Sequence, residues 1–172
     1  MSPNNQIAAS DDHFAISRVF NAPRELVWKA WTEPDRIVAW LGPKGPTPPR
    51  VIQHELRVGG VFLSAMKMPN GSELCGRFVY REVLPISRLV WVQSLEDVNG
   101  VPVRHPMSPT WPLEVLTTVM FADLGGKTEV NLVWAPLNAN EIEIKTFKDG
   151  KPSMQGGWTG SFDQLAEYLA KS

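Results

Sequence analysis

The sequence has one cysteine, Cys75, in 172 residues. An intramolecular disulfide is therefore excluded, and so is a multi-thiolate metal site. No apolar run approaches the ~20 residues that span a bilayer. The first residues, Ser2 to Asp12, are polar and lack the charged and apolar regions of a secretory signal, so the expected location is cytoplasmic. Net charge is −1 with the basic residues scattered, which gives no field to recruit nucleic acid or an anionic membrane. The G-x-S-x-G elbow, the Walker loop and G-x-G-x-x-G are all missing. His13, His54 and His105 show no ligand spacing, and no metal or cofactor is expected.

Against these absences stand seven tryptophans and six methionines. Large rings with one donor, together with flexible polarizable thioethers, suit either a packed core or a lined pocket. The length fits one domain, expected over residues 13–172 behind a disordered tail at 1–12.

Alternation over His13–Phe20 predicts a strand with Phe14, Ile16 and Phe20 on one face; Arg18 shares that face, an odd place for a charge. Asn21 is a candidate N-cap for a helix over Pro23–Trp31, and Thr32 for a second helix bearing Ile37, Val38, Trp40 and Leu41, ended by Gly42–Pro46. A meander follows: strands at Val51–Val58, Val61–Met68, Leu74–Val83, Arg88–Leu95, Leu113–Ala122 and Thr128–Trp134, with turns at Gly59-Gly60, Pro69-Asn70-Gly71 and Gly125-Gly126. Gly100–Pro112, with four prolines, is the longest irregular stretch and a candidate mobile lid. The last helix runs from Pro152 or Ser153 to Ala170 with Met154, Trp158, Phe162, Leu165 and Leu169 in one stripe. Gly156, Gly157 and Gly160 each cost that helix about 1 kcal/mol relative to alanine. Either the sheet backbone approaches closely there or space is left for a ligand. The expected class is α+β: a curved antiparallel sheet wrapped around a long C-terminal helix, with two short helices after the first strand.

The Phe20-Asn21-Ala22-Pro23-Arg24-Glu25-Leu26-Val27-Trp28 stretch, Trp31-Thr32-Glu33-Pro34, Trp40-Leu41-Gly42-Pro43, Leu56-Arg57-Val58-Gly59-Gly60 and the Gly157-Trp158…Leu165…Leu169 ending resemble the SRPBCC (START-like, helix-grip) superfamily. More narrowly they resemble its bacterial branch classed with the C-terminal domain of the heat-shock-protein-90 ATPase activator. The resemblance covers roughly His13–Ala170 and implies a helix-grip fold with a central cavity for a hydrophobic small molecule. The extra N-terminal domain of the full-length eukaryotic activators is not in the sequence, which puts a chaperone second to a hydrophobic small molecule as the expected partner.

Residue by residue, an apolar site is expected from Phe62 and Met66 on one strand, Phe78 and Tyr80 on the next, and Trp91, Met120 and Trp134 on later strands. The helices add Trp31, Trp40, Met154, Trp158 and Phe162. A core could use the same residues. For acid–base work Glu55, Glu73, Arg77 and Arg18 are the candidates, with pairing on the outer sheet face as the alternative, and Glu114 and His105 flank the proline-rich loop. Cys75 is expected to be a buried inert thiol. Two readings from other classes stand beside ligand binding: a module that modulates a chaperone ATPase, and a cavity enzyme of cyclase or hydrolase type. Exposed sheet edges are compatible with a homodimer.

Overall fold

A computed structural model describes residues 12–42 and 48–172. The expected tail, apart from Asp12, and the Pro43–Pro46 part of the helix exit lie outside the described residues. Seven antiparallel strands form one sheet in the order β1-β7-β6-β5-β4-β3-β2. They are β1 Phe14–Phe20, β2 Arg50–His54, β3 Val61–Lys67, β4 Glu73–Leu84, β5 Arg88–Glu96, β6 Glu114–Asp123 and β7 Thr128–Leu137. Four helices, α1 Arg24–Thr32, α2 Pro34–Trp40, α3 Glu141–Asp149 and α4 Lys151–Ala170, complete the fold. The sheet curves around α4, whose backbone comes closest to β1 and to the other helices.

Strand period fixes which side chains face α4. The register Phe14↔Trp134↔Thr117↔Trp91↔Tyr80 carries one face across five strands. Phe62↔Phe78 and Ser64↔Gly76 extend it through β3. On the β1, β7 and β6 side this inner face is sealed by Phe20, Val119, Leu132 and Val130, with Phe162 and Leu165 of α4 buried against them. Arg18, odd in the sequence, shares this inner face. It donates to Asp163 of α4 at 2.8 Å and its guanidinium lies over the Phe162 ring, so the charge is paired at the edge of the core.

Both short helices begin one residue later than expected. Pro23 is the N-cap of α1, accepting the amides of Leu26 and Val27 through its carbonyl, while Asn21 caps nothing. Thr32 is still helical because its hydroxyl donates back to Trp28 O at 2.8 Å. Glu33 therefore caps α2, and its carboxylate accepts from Arg36. Helix α3 is an addition to the expected elements. Asn140 and Glu143 form a full capping box at its start. The turn before β3 needs glycine at position 60, where a Cβ would stand 2.1 Å from Glu55 O.

The proline-rich stretch is fastened. Trp111 packs on Phe147 of α3 at 5.3 Å and edge-on to Trp134 at 6.4 Å. Arg104 forms a short ion pair with Glu143, and the Thr110 and Thr146 hydroxyls meet at 2.8 Å. The segment is thus a strap held on α3 at Arg104 and again at Thr110 and Trp111.

Candidate functional site

The rings from α1, α4 and the sheet form one contact network. Trp31 of α1 lies parallel to Trp158 of α4 at 6.2 Å, 4.7 Å from Trp40 and 6.3 Å from Trp91. Trp158 continues to Trp134 and to Phe162. Trp91 stacks on Phe78 at 4.7 Å, and Phe78 meets Phe62. Met154 and Tyr80 belong to the same buried cluster. Of the twelve expected site residues, ten therefore fall in or against this network.

Met66 and Met120 are the other two. Met66 is on the inner face, half-buried at the open end of β3. Met120 is on the opposite face: it pairs with Arg88, and its sulfur lies 3.8 Å from the Arg88 guanidinium. Its neighbour Val119 takes the inner position, so the two-residue period removes Met120 from the group. Trp40 is fully buried, and its indole N–H donates to Ala30 O at 2.8 Å. It braces α2 against α1.

Burial is uneven along the inner face. On β6 and β7 the inward residues Val115, Thr117, Val119, Phe121, Val130 and Leu132 are buried. On β3 to β5, Ser64, Met66, Leu74, Gly76, Phe78, Gln93 and Leu95 are only half-buried. The Ser64–Gly76 pair makes a low point between the Phe62–Phe78 and Met66–Leu74 pairs, and a Cβ on Gly76 would meet only Ser64 Oγ, at 3.9 Å. The glycine flank of α4 carries Gly157 and Gly160, both exposed. Gln164 Nε2 donates to Trp40 O at 2.8 Å and to Gly42 O at 2.6 Å, which turns that flank toward the end of α2. Gly157 and Gly160 sit two turns and one turn back on the same flank. A Cβ on Gly156, Gly157 or Gly160 would meet nothing within 4 Å. Close backbone approach, one of the two explanations of these glycines, is thus removed.

Polar groups inside this region are few. Gln93 Oε1 accepts from Trp91 Nε1 at 3.2 Å and from the buried Thr117 hydroxyl at 2.8 Å. Because an indole N–H can only donate, the amide is oriented: its oxygen is held by the sheet and its NH2 points away from both partners. The indole N–H groups of Trp31 and Trp134 and Nε2 of His54 are buried without a hydrogen-bond partner among the described residues. His54 stands edge-on to Phe62 and Tyr80. Burial lowers its pKa below 6.5 and raises that of the Tyr80 phenol. Gln93 and Thr117 were not among the expected site residues. The signal for Gln93 is its place two residues after Trp91 on an otherwise apolar strand face.

The acid–base candidates are tied up in ion pairs. Glu55 pairs with Arg57 at 3.2 Å, Glu73 with Arg50 at 3.1 Å and Arg77 with Glu96 at 3.2 Å. Glu114 accepts from Asn138, and His105 Nδ1 accepts from the Met107 amide. Cys75 is buried on the outer face, and burial followed by the nearby Glu96 raises its thiol pKa. Among the described residues no three His, Cys, Asp or Glu side chains are grouped to hold a metal ion, and no helix is long and apolar enough to cross a membrane. A groove of about 420 Å³ runs along Glu141, Ile144, Lys145, Lys148 and Asp149 of α3. It is an open, charged surface and includes none of the network residues.

A curved antiparallel sheet gripping a terminal helix over an aromatic interior defines the helix-grip class. Residues 21–170 match the family model described as "Activator of Hsp90 ATPase homolog 1-like protein", and the chain belongs to that family. Solved structures with the same fold include a protein from Arthrobacter aurescens, 24% identical, covering 93% of this chain and 87% of that one with a TM-score of 0.75. Protein Ms6760 from Mycobacterium smegmatis is 21% identical, with coverages of 91% and 90% and a TM-score of 0.72. DynU16, described as a putative protein in the dynemicin biosynthetic locus, is 19% identical; the match covers 94% of this chain and 48% of that one, with a TM-score of 0.59. None of the curated proteins matches the chain.

Proposed function

We propose that this chain binds an apolar or aromatic small molecule in a cleft over the half-open inner face of β3–β5, between the sheet and α4. Phe78, Met66, Trp134 and Trp158 form its apolar walls, with Trp31, Trp91, Phe62, Tyr80, Met154 and Phe162 packed behind them. The observation that supports this reading is the uneven burial of the inner face: apolar side chains on β3 and β4 stay half-open while those on β6 and β7 are buried. A structural core would gain by closing over them, since each buried CH2 contributes about 0.8 kcal/mol. A ligand burying ~200 Å² there gains about 5 kcal/mol before ordering costs.

Titration with a neutral naphthalene-type fluorophore, N-phenyl-1-naphthylamine, tests it. Saturable one-to-one binding to the wild type is expected, weakened at least fivefold in Gly76→Val, which fills the low point of the sheet without a clash. Native mass spectrometry of gently purified protein would show a retained organic mass. Absence of saturable binding, or equal binding by Gly76→Val, rejects the cleft as the site.

A further inference from the structure

Resting on that binding reading, we infer that the ligand carries a neutral hydrogen-bond acceptor, a carbonyl on an aromatic or apolar frame, and that the Gln93 amide nitrogen orients it. Gln93 Oε1 is already occupied by Trp91 Nε1 and the Thr117 hydroxyl, so what Gln93 offers to the cleft is its NH2. Directly across β6, Trp134 pairs with Thr117, and its indole N–H is buried and unpartnered. The Trp31 indole, 3% exposed and 6.3 Å from Trp91, adds a second unpartnered N–H. The Gln93 NH2 is thus the donor on the half-open part of the inner face, while the two indole N–H groups are enclosed in the ring network. An incoming carbonyl oxygen is the group that this NH2 can hold.

Charge selects among acceptors. The inward-facing cation of the described residues, Arg18, is held 2.8 Å from Asp163. The imidazole of His54 is kept toward its neutral form by burial. A carboxylate entering the cleft would lose its water with no cation to replace it, a loss that a neutral donor does not return. A ketone, quinone or ester carbonyl loses far less and gains the same bonds.

Three probes of one skeleton test this on the full chain, read by fluorescence titration at pH 8: 2-ethylnaphthalene, 2-acetylnaphthalene and 2-naphthoate. The acetyl compound is expected to bind about tenfold more tightly than the ethyl compound, the yield of one net hydrogen bond, and the naphthoate most weakly. Gln93→Glu keeps acceptors for Trp91 and Thr117 but removes the donor; Gln93→Met removes the amide altogether at similar volume. In both, the acetyl preference should fall within twofold. Equal binding of the two neutral probes by the wild type, tightest binding of the naphthoate, or a preference surviving in both variants overturns the inference while leaving the cleft intact. Failure of the ethyl compound as well as the acetyl compound to bind overturns the cleft itself, and the inference falls with it.

Discussion

Replacing Gly156, Gly157 and Gly160 together by alanine should stabilise the protein markedly. All three lie inside α4, where glycine costs about 0.8–1 kcal/mol relative to alanine. That cost is ordinarily offset by a steric need for hydrogen at the position, and here none exists: apart from the adjoining helix backbone, no heavy atom lies within 4 Å of any added Cβ. No strained backbone dihedral reserves these positions for glycine either. The three methyl groups are small and do not share partners, so their effects should add to about 2.5–3 kcal/mol. For a chain of this size each kcal/mol moves the melting temperature by about 2–4 °C, giving a rise of roughly 5–12 °C. Differential scanning calorimetry of the triple variant and the three single variants measures it directly. An unchanged or lowered melting temperature would refute the reasoning, because it would mean that something occupies the space beside α4.

Acidification should act in two steps. His54 has a folded pKa below its ordinary 6.5; its contribution is complete above that value and is lost as pH falls through the folded pKa, so His54→Phe should flatten the melting-temperature profile just below pH 6.5. Glu143 is depressed below 4.5, first by the hydrogen bond from Arg104 and next by the Asn140 amide; its stabilisation is present above 4.5 and lost below, and Arg104→Met should reduce the acid sensitivity of that lower step. Gly60→Ala forces a Cβ against Glu55 O and should cost at least about 3 kcal/mol, read from urea denaturation. Trp40→Phe leaves the Ala30 carbonyl without its indole donor and should cost about 1–3 kcal/mol by the same assay.

Much of the fold was legible because its signals are local. Alternation placed β1 and the six later strands, and the Met154, Trp158, Phe162, Leu165, Leu169 stripe placed α4 to within two residues of its start. Helix α3 escaped because Glu141-Ile142-Glu143-Ile144 alternates like a strand, while its true marker is the Asn140…Glu143 box. The aromatic part of the candidate site could be read because Trp and Phe are conspicuous, yet strand period alone did not say which face was inward, and Met120 went to the wrong one. For Gln93 the sequence shows the place two residues after Trp91 but not the partner. Its role depends on a hydrogen bond to Thr117 on a neighbouring strand, and no spacing within one strand encodes that.

The ring network has an optical consequence. Six of the seven tryptophans, Trp111, Trp134, Trp158, Trp31, Trp40 and Trp91, are joined by indole-to-indole contacts of 6.4 Å or less. At such separations excitation energy migrates among them faster than it is emitted. Light absorbed at the strap over α3 can therefore leave from an indole deep in the sheet, and a quencher touching any one of them darkens the set. The protein carries its own antenna, wired through the interior it would use to hold a guest.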